Sequence, residues 1–126
     1  MIAKYAPSVI YTTSAPFSSH LIGARLSRQT GLPWVADFRD PYAADSRVGP
    51  HTAFHRAVRA RLEYGWVQQA KRVIATTERT TADFQSRYPA EPAERWVTIT
   101  NGYDEADFAH EPPPRPERLH WLIWAA

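Results

Sequence analysis

The chain has 126 residues, 44% hydrophobic and 13% aromatic, enough for one small packed domain or a piece of a larger one. It contains no cysteine, which excludes disulfides and thiolate metal sites and permits a reducing compartment. The net charge is only +2, from thirteen Arg and two Lys against 13 acidic residues, and the basic residues are dispersed, which argues against nucleic acid as the main partner. No apolar run approaches the ~20 residues that span a bilayer, and residues 1–7 lack the apolar core of a signal peptide, so a cytoplasmic protein is the default expectation.

In chain order, Val9-Ile10-Tyr11-Thr12-Thr13 is β-branched and aromatic and predicts a first strand. The Ser- and Pro-rich stretch 14–19 predicts a loop that caps a helix, with Ser14 or Ser18 as N-cap. That helix runs to about Thr30, with Ile22 and Leu26 on its apolar face and Arg25 and Arg28 facing out. Gly31 supplies the C-cap and Pro33 prevents continuation. Trp34 to Phe38 predicts a second strand, running into Arg39-Asp40-Pro41, where Pro41 disfavours the helical region for Asp40. A loop extends to Gly49-Pro50.

The longest helical pattern covers about 52–70. Phe54, Val58, Leu62, Trp66 and Ala70 recur every four residues as one apolar stripe expected to be core, with His55, Arg56, Arg59 and Glu63 off it. Gly65 is its weak point. Residues 72–76 predict a third strand, Thr77 caps a helix reaching about Arg87, and Pro89 closes it. Residues 95–99 predict a fourth strand, followed by Asn101-Gly102, a turn dipeptide. Residues 111–117 have the proline content of a linker, and 119–124 is an apolar, strand-like run.

Strands alternating with helices predict an α/β fold built on a parallel sheet of about four strands, with right-handed crossovers and helices on both faces. Ligands of such sheets bind at the carboxyl ends of the strands. Each predicted strand is followed there by polar residues. Arg39 can hold phosphate or carboxylate in a bidentate grip, and Asp40 can orient Arg39 or accept a substrate hydroxyl; an Arg–Asp pair at a strand end is the alternative. Ser14 and His20 follow the first strand, where helix-start N–H groups can hold an anion, although a His in a first helical turn is more often merely solvated. Thr76-Thr77-Glu78-Arg79 follows the third strand, and its hydroxyls and carboxylate either bind sugar hydroxyls or form an ordinary N-terminal capping segment with an acidic first turn. Asn101 and Gly102 follow the fourth; Gly102 permits φ > 0 and close backbone approach. His51 and His55 are spaced i, i+4, but nothing completes a metal site, so no metal is expected. No glycine-rich dinucleotide motif, phosphate loop or nucleophile elbow is present, and no cofactor is assigned. The basic residues beside the Phe54–Trp66 stripe leave contact with an anionic membrane or a lipid-linked substrate open.

Four stretches in the same order resemble motifs of the N-terminal domain of family 4 glycosyltransferases. They are Val9-Ile10-Tyr11-Thr12-Thr13-Ser14-Ala15-Pro16-Phe17-Ser18-Ser19-His20, Gly31-Leu32-Pro33-Trp34-Val35-Ala36-Asp37-Phe38-Arg39-Asp40-Pro41, Val73-Ile74-Ala75-Thr76-Thr77-Glu78 and Ile99-Thr100-Asn101-Gly102-Tyr103-Asp104. The resemblance covers about residues 8–108. It implies a GT-B architecture of two Rossmann-like domains around a cleft, and retaining transfer of a sugar from a nucleotide-sugar donor to a sugar or lipid-linked acceptor. Its N-terminal domain mainly shapes the acceptor side. On this reading 1–108 is the later half of that domain, 109–118 the interdomain linker, and 119–126 the first strand of a C-terminal domain otherwise absent. The chain itself would then be inactive, with Asp40 the catalytic candidate and Ser14, His20, Arg39, Glu78, Asn101 and Gly102 around the cleft. The paired Glu residues of the family's donor domain are absent, and Arg39 stands where many relatives have His. The first strand would be an unpaired sheet edge. The reading from residues alone also admits a small α/β module that binds an anionic metabolite or a partner protein through the same rim.

Overall fold

The computed structural model describes residues 6–43 and 52–108. The expectations for His51, for the loop end at Gly49-Pro50, for the linker and for the strand at 119–124 lie outside the described residues.

Four parallel strands form one sheet in the order β1-β2-β3-β4: Ile10–Thr13, Trp34–Phe38, Arg72–Ala75 and Trp96–Thr98. Helices α1 (Ser18–Thr30), α2 (Ala53–Gln69) and α3 (Glu78–Arg87) alternate with them. The predicted order of elements is therefore the observed one. Local chemistry explains the boundaries. Gly31 ends α1 in the left-handed region at φ 72°, its N–H donating to the Ser27 carbonyl. Thr52 and Thr77 cap α2 and α3 by accepting from the His55 and Thr80 N–H groups. Neither Ser14 nor Ser18 caps α1: its N-cap is Phe17, and the Ser14 side chain turns to β2 instead. Arg95 leaves the fourth strand for a short 3-10 turn (Ala93–Arg95). From there its guanidinium donates to the carbonyls of Val67, Gln68 and Ala70, satisfying the negative end of α2.

All three helices pack on the same face of the sheet. Register places Trp34, Ala36, Phe38, Val73, Ala75 and Trp96 on that face. His20 of α1 meets Trp34 and Phe38, Trp66 of α2 meets Phe38, and Phe84 of α3 meets Phe38 and Trp96. These residues form the buried core. The expectation of helices on both faces is corrected here, and topology gives the reason. Each right-handed crossover that steps to the next strand in the same direction lands its helix on the same side. Helices change face only where strand order reverses, and among the described strands it does not. The other face, with Tyr11, Asp37, Arg72 and Ile74, carries no described helix, and among the described strands β1 lies at one edge.

The apolar stripe of α2 is also corrected. Trp66 and Ala70 are buried, but Phe54 is 72% exposed and Val58 39%, while Arg59 and Glu63 lie inside. A four-residue step overshoots the 3.6-residue turn by ~40°, so a stripe at that spacing winds around the helix and only its last turn faces the sheet. In α1 the buried residues are His20, Gly23 and Ala24, and Ile22 points out. Gly23 lets the helix close onto the sheet, since a Cβ there would lie 2.6 Å from Trp34 Nε1 and 2.7 Å from Thr12 Cγ2.

Candidate functional site

Parallel strands place every strand-to-helix connection at one end, so the polar residues following β1, β2 and β4 converge. Two adjoining concavities lie there. One, of about 380 Å³, is lined by Ser14, Ala15, Arg39, Asp40, Thr76 and Asn101. The other, of about 290 Å³, lies on the helix-free side and includes Tyr11, Asp37, Arg39, Thr76, Asn101 and Gly102. Arg39, Thr76 and Asn101 belong to both.

Arg39 is held by its backbone. Its N–H donates to Ser14 Oγ at 3.3 Å, and its carbonyl accepts from Thr76 Oγ1 at 3.1 Å. Ser14 is itself anchored, its N–H donating to the Asp37 carbonyl at 3.0 Å. Hydroxyls of the two neighbouring strands thus fix the main chain where β2 ends, and the exposed Arg39 side chain projects from that fixed point. Arg39 and Asp40 do not form an ion pair; the salt bridges joining described residues are Arg87 with Glu63 and Asp83, and Arg95 with Glu91. The strand-end Arg–Asp pair is therefore not what occupies this guanidinium.

The segment after Asp40 is tied down from beneath by α2. Glu63, fully buried, accepts from the Ala43 N–H at 2.7 Å and from the Tyr88 hydroxyl at 2.6 Å, and pairs with Arg87. Arg59 donates to the Tyr42 carbonyl and lies over the Tyr42 ring. Burial, then the hydrogen bond to Glu63, hold the Tyr88 phenol well above its ordinary pKa, so it remains a donor. Sequence periodicity placed Arg59 and Glu63 off the apolar stripe of α2. Their use as anchors for a distant loop has no local signature.

On the helix-free face Tyr11 donates to Asp37 Oδ2 at 2.6 Å across the β1–β2 pair. That hydrogen bond, and then partial burial, raise the Tyr11 pKa, so the phenol is protonated at neutral pH. Thr76 was expected among the strand-end hydroxyls; Tyr11 and Asp37 were not among the expected site residues. Alternation along a strand could have found these two, since they share a face and adjoin the rim.

Two expected residues lie elsewhere. His20 is fully buried, its ring against Phe17, Trp34, Phe38 and Trp66, with Nδ1 2.8 Å from Thr12 Oγ1. It is a core histidine out of reach of a ligand on the rim. Glu78 stands exposed in the first turn of α3, at the same end of the sheet but outside both concavities. Gly102 does line the second concavity, yet its φ is not positive and no turn forms at Asn101-Gly102. A Cβ there would meet nothing within 4 Å, so the site does not require glycine. No group of three or more metal-ligating side chains occurs among the described residues.

A cationic fork at a fixed strand end, flanked by a carboxamide, hydroxyls and a carboxylate, suits an anionic or polyhydroxylated ligand. Sheet and rim together define an α/β protein of the Rossmann-like class. Residues 1–102 match the family described as "Glycosyl transferase 4-like domain", and the chain belongs to that family. The enzyme class is thus transferase. No curated protein matches the chain.

Proposed function

We propose that this chain contributes the acceptor side of the cleft in a retaining, hexosyltransferase-like enzyme that uses a nucleotide-sugar donor and a sugar or lipid-linked acceptor. The observation that carries this reading is Arg39: its backbone is clamped by Ser14 and Thr76, and the residue lines both concavities together with Asn101. Arg39 binds the charged part of a substrate, Asn101, Thr76 and the Tyr11–Asp37 pair meet sugar hydroxyls, and Asp40 is the catalytic carboxylate candidate. The location is cytoplasmic. Family membership and the strand-end position of the rim support the sugar-transfer reading.

The test is a titration of isotope-labelled chain with nucleoside-diphosphate sugars and with sugar phosphates, followed by NMR. Shift changes gathering on Arg39, Thr76 and Asn101, and weakened in Arg39→Ala, are the expected result. Changes confined to the amino-terminal ends of the strands contradict the proposal.

A further inference from the structure

The open edge of the sheet and one flank of α1 form a continuous surface that the rim does not use. The N–H groups of Ile10 and Ser14 donate to the Pro33 and Asp37 carbonyls on the β2 side. Backbone groups alternate along a strand, so the N–H and C=O of Tyr11 and the N–H of Thr13 point the other way, where no described strand lies beside them. The strand reads Ile-Tyr-Thr-Thr and has none of the charges or prolines that blunt an edge.

Helix α1 continues this surface. His20, Gly23 and Ala24 are its sheet side, and Leu21 and Arg28 are on its α2 side, where they line a groove with α2 residues. At about 100° per residue, Ser19, Ile22, Leu26 and Thr30 fall on the flank away from α2, above the open edge of β1. The Ser19 hydroxyl accordingly donates to the Thr13 carbonyl at 2.7 Å. Ile22 is 60% exposed, and Val9 and Tyr11 below the edge are 47% and 57% exposed. The flank is uncharged, because Arg25 and Arg28 lie elsewhere around the helix. We infer that this surface pairs with a second copy of the chain across a two-fold axis, β1 antiparallel to β1, so that two four-stranded sheets become one.

The edge is self-complementary. Turned about the two-fold, its outward N–H and C=O groups meet their own counterparts, and the contact closes on itself. Spacing fits as well. Helix α1 straddles two strands, its His20 reaching Thr12 of β1 and Trp34 and Phe38 of β2, so its axis sits roughly half a strand spacing inside β1. With the paired β1 strands about 4.8 Å apart, the two α1 axes lie ~10 Å apart, the separation of packed helices. These helices run antiparallel with opposed dipoles, and no like charges face each other across the seam. A lone strand from another protein would satisfy the main chain but leave Ile22 and Leu26 with no helix against them. The two rims point to opposite ends of the joined sheet, so the inference does not depend on the sugar-transfer reading.

Sedimentation equilibrium of the 126-residue chain should show a reversible monomer–dimer mixture. Hydrogen exchange gives the specific readout. The Tyr11 and Thr13 amides should become protected as concentration rises through the dimerisation range, while the Ser14 amide, bonded to Asp37 within one copy, should not change. Ile22→Lys places a charge on the seam from both copies and should weaken dimerisation about tenfold or more. Leu21→Lys, one residue away on the α2 side, should dimerise like the parent. Both positions are exposed, so melting curves at low concentration should stay close to the parent's. A chain that stays monomeric, or one that grows beyond a dimer, overturns the inference. So does association that leaves the Tyr11 and Thr13 amides unprotected, undiminished dimerisation by Ile22→Lys, or an equal loss in Leu21→Lys.

Discussion

Acid should destabilise this domain through His20. The ring is enclosed by aromatic side chains, and Thr12 Oγ1 accepts from Trp34 Nε1 while lying 2.8 Å from His20 Nδ1. The Thr12 hydroxyl, one donor and two lone pairs, serves Nδ1 in either neutral tautomer. Nε2 has no hydrogen-bond partner among the described residues. Burial pushes the His20 pKa down to about 4, against the opposing pull of the Asp37 charge. The folded state thus holds the proton less tightly than the unfolded chain, whose histidine titrates near 6.5. Stability is unaffected above pH ~6.5, falls as pH drops toward 4, and levels off below that. At ~1.4 kcal/mol per pKa unit, the full loss is roughly 3 kcal/mol, a large part of the ~5–15 kcal/mol that holds a domain together. Urea melts of the parent and of His20→Asn at pH 7 and pH 4.5 isolate the effect, because all other groups titrate in both. The variant should be weaker at pH 7, having lost ring packing. Its deficit should shrink by about 2–3 kcal/mol at pH 4.5. An unchanged gap between the two proteins would refute the reasoning.

Glu63→Ala should cost about 1–3 kcal/mol in urea unfolding, because it removes the buried partner of Arg87, which keeps Asp83, and the acceptor of the Tyr88 hydroxyl and the Ala43 N–H. Hydrogen exchange at Ala43 should accelerate beyond the global change, since that loop loses a specific tether. Two glycine substitutions should have opposite signs. Gly23→Ala forces a methyl into the buried Trp34 indole and should cost about 1–3 kcal/mol, whereas Gly65→Ala, with nothing within 4 Å, should raise stability by up to about 1 kcal/mol. Thermal melts of the two single variants check both.

Much of this protein was written in short stretches of its sequence. Strand ends, caps and the Gly31 stop depend on residues within a turn of one another, and the element order followed from them. That order implied a polar rim, and Ser14, Arg39, Asp40, Asn101 and Gly102 do line concavities there. Family membership was legible from four short stretches in sequence. Tertiary structure decided the rest. Whether helices share a face depends on strand order and crossover handedness, which no single segment carries. Whether His20 faces a ligand or the core depends on where Trp34, Phe38 and Trp66 arrive. The α2 stripe misled because its spacing only approximates the helical repeat, so the sheet's position chose Arg59, Glu63 and Trp66 as the inward side. Thr76 and Ser14 became the clamps of Arg39 only when three parallel strands lined up their ends. Sequence sets what each segment can be; long-range packing sets which of its sides meets the core, because that choice depends on residues remote in the chain.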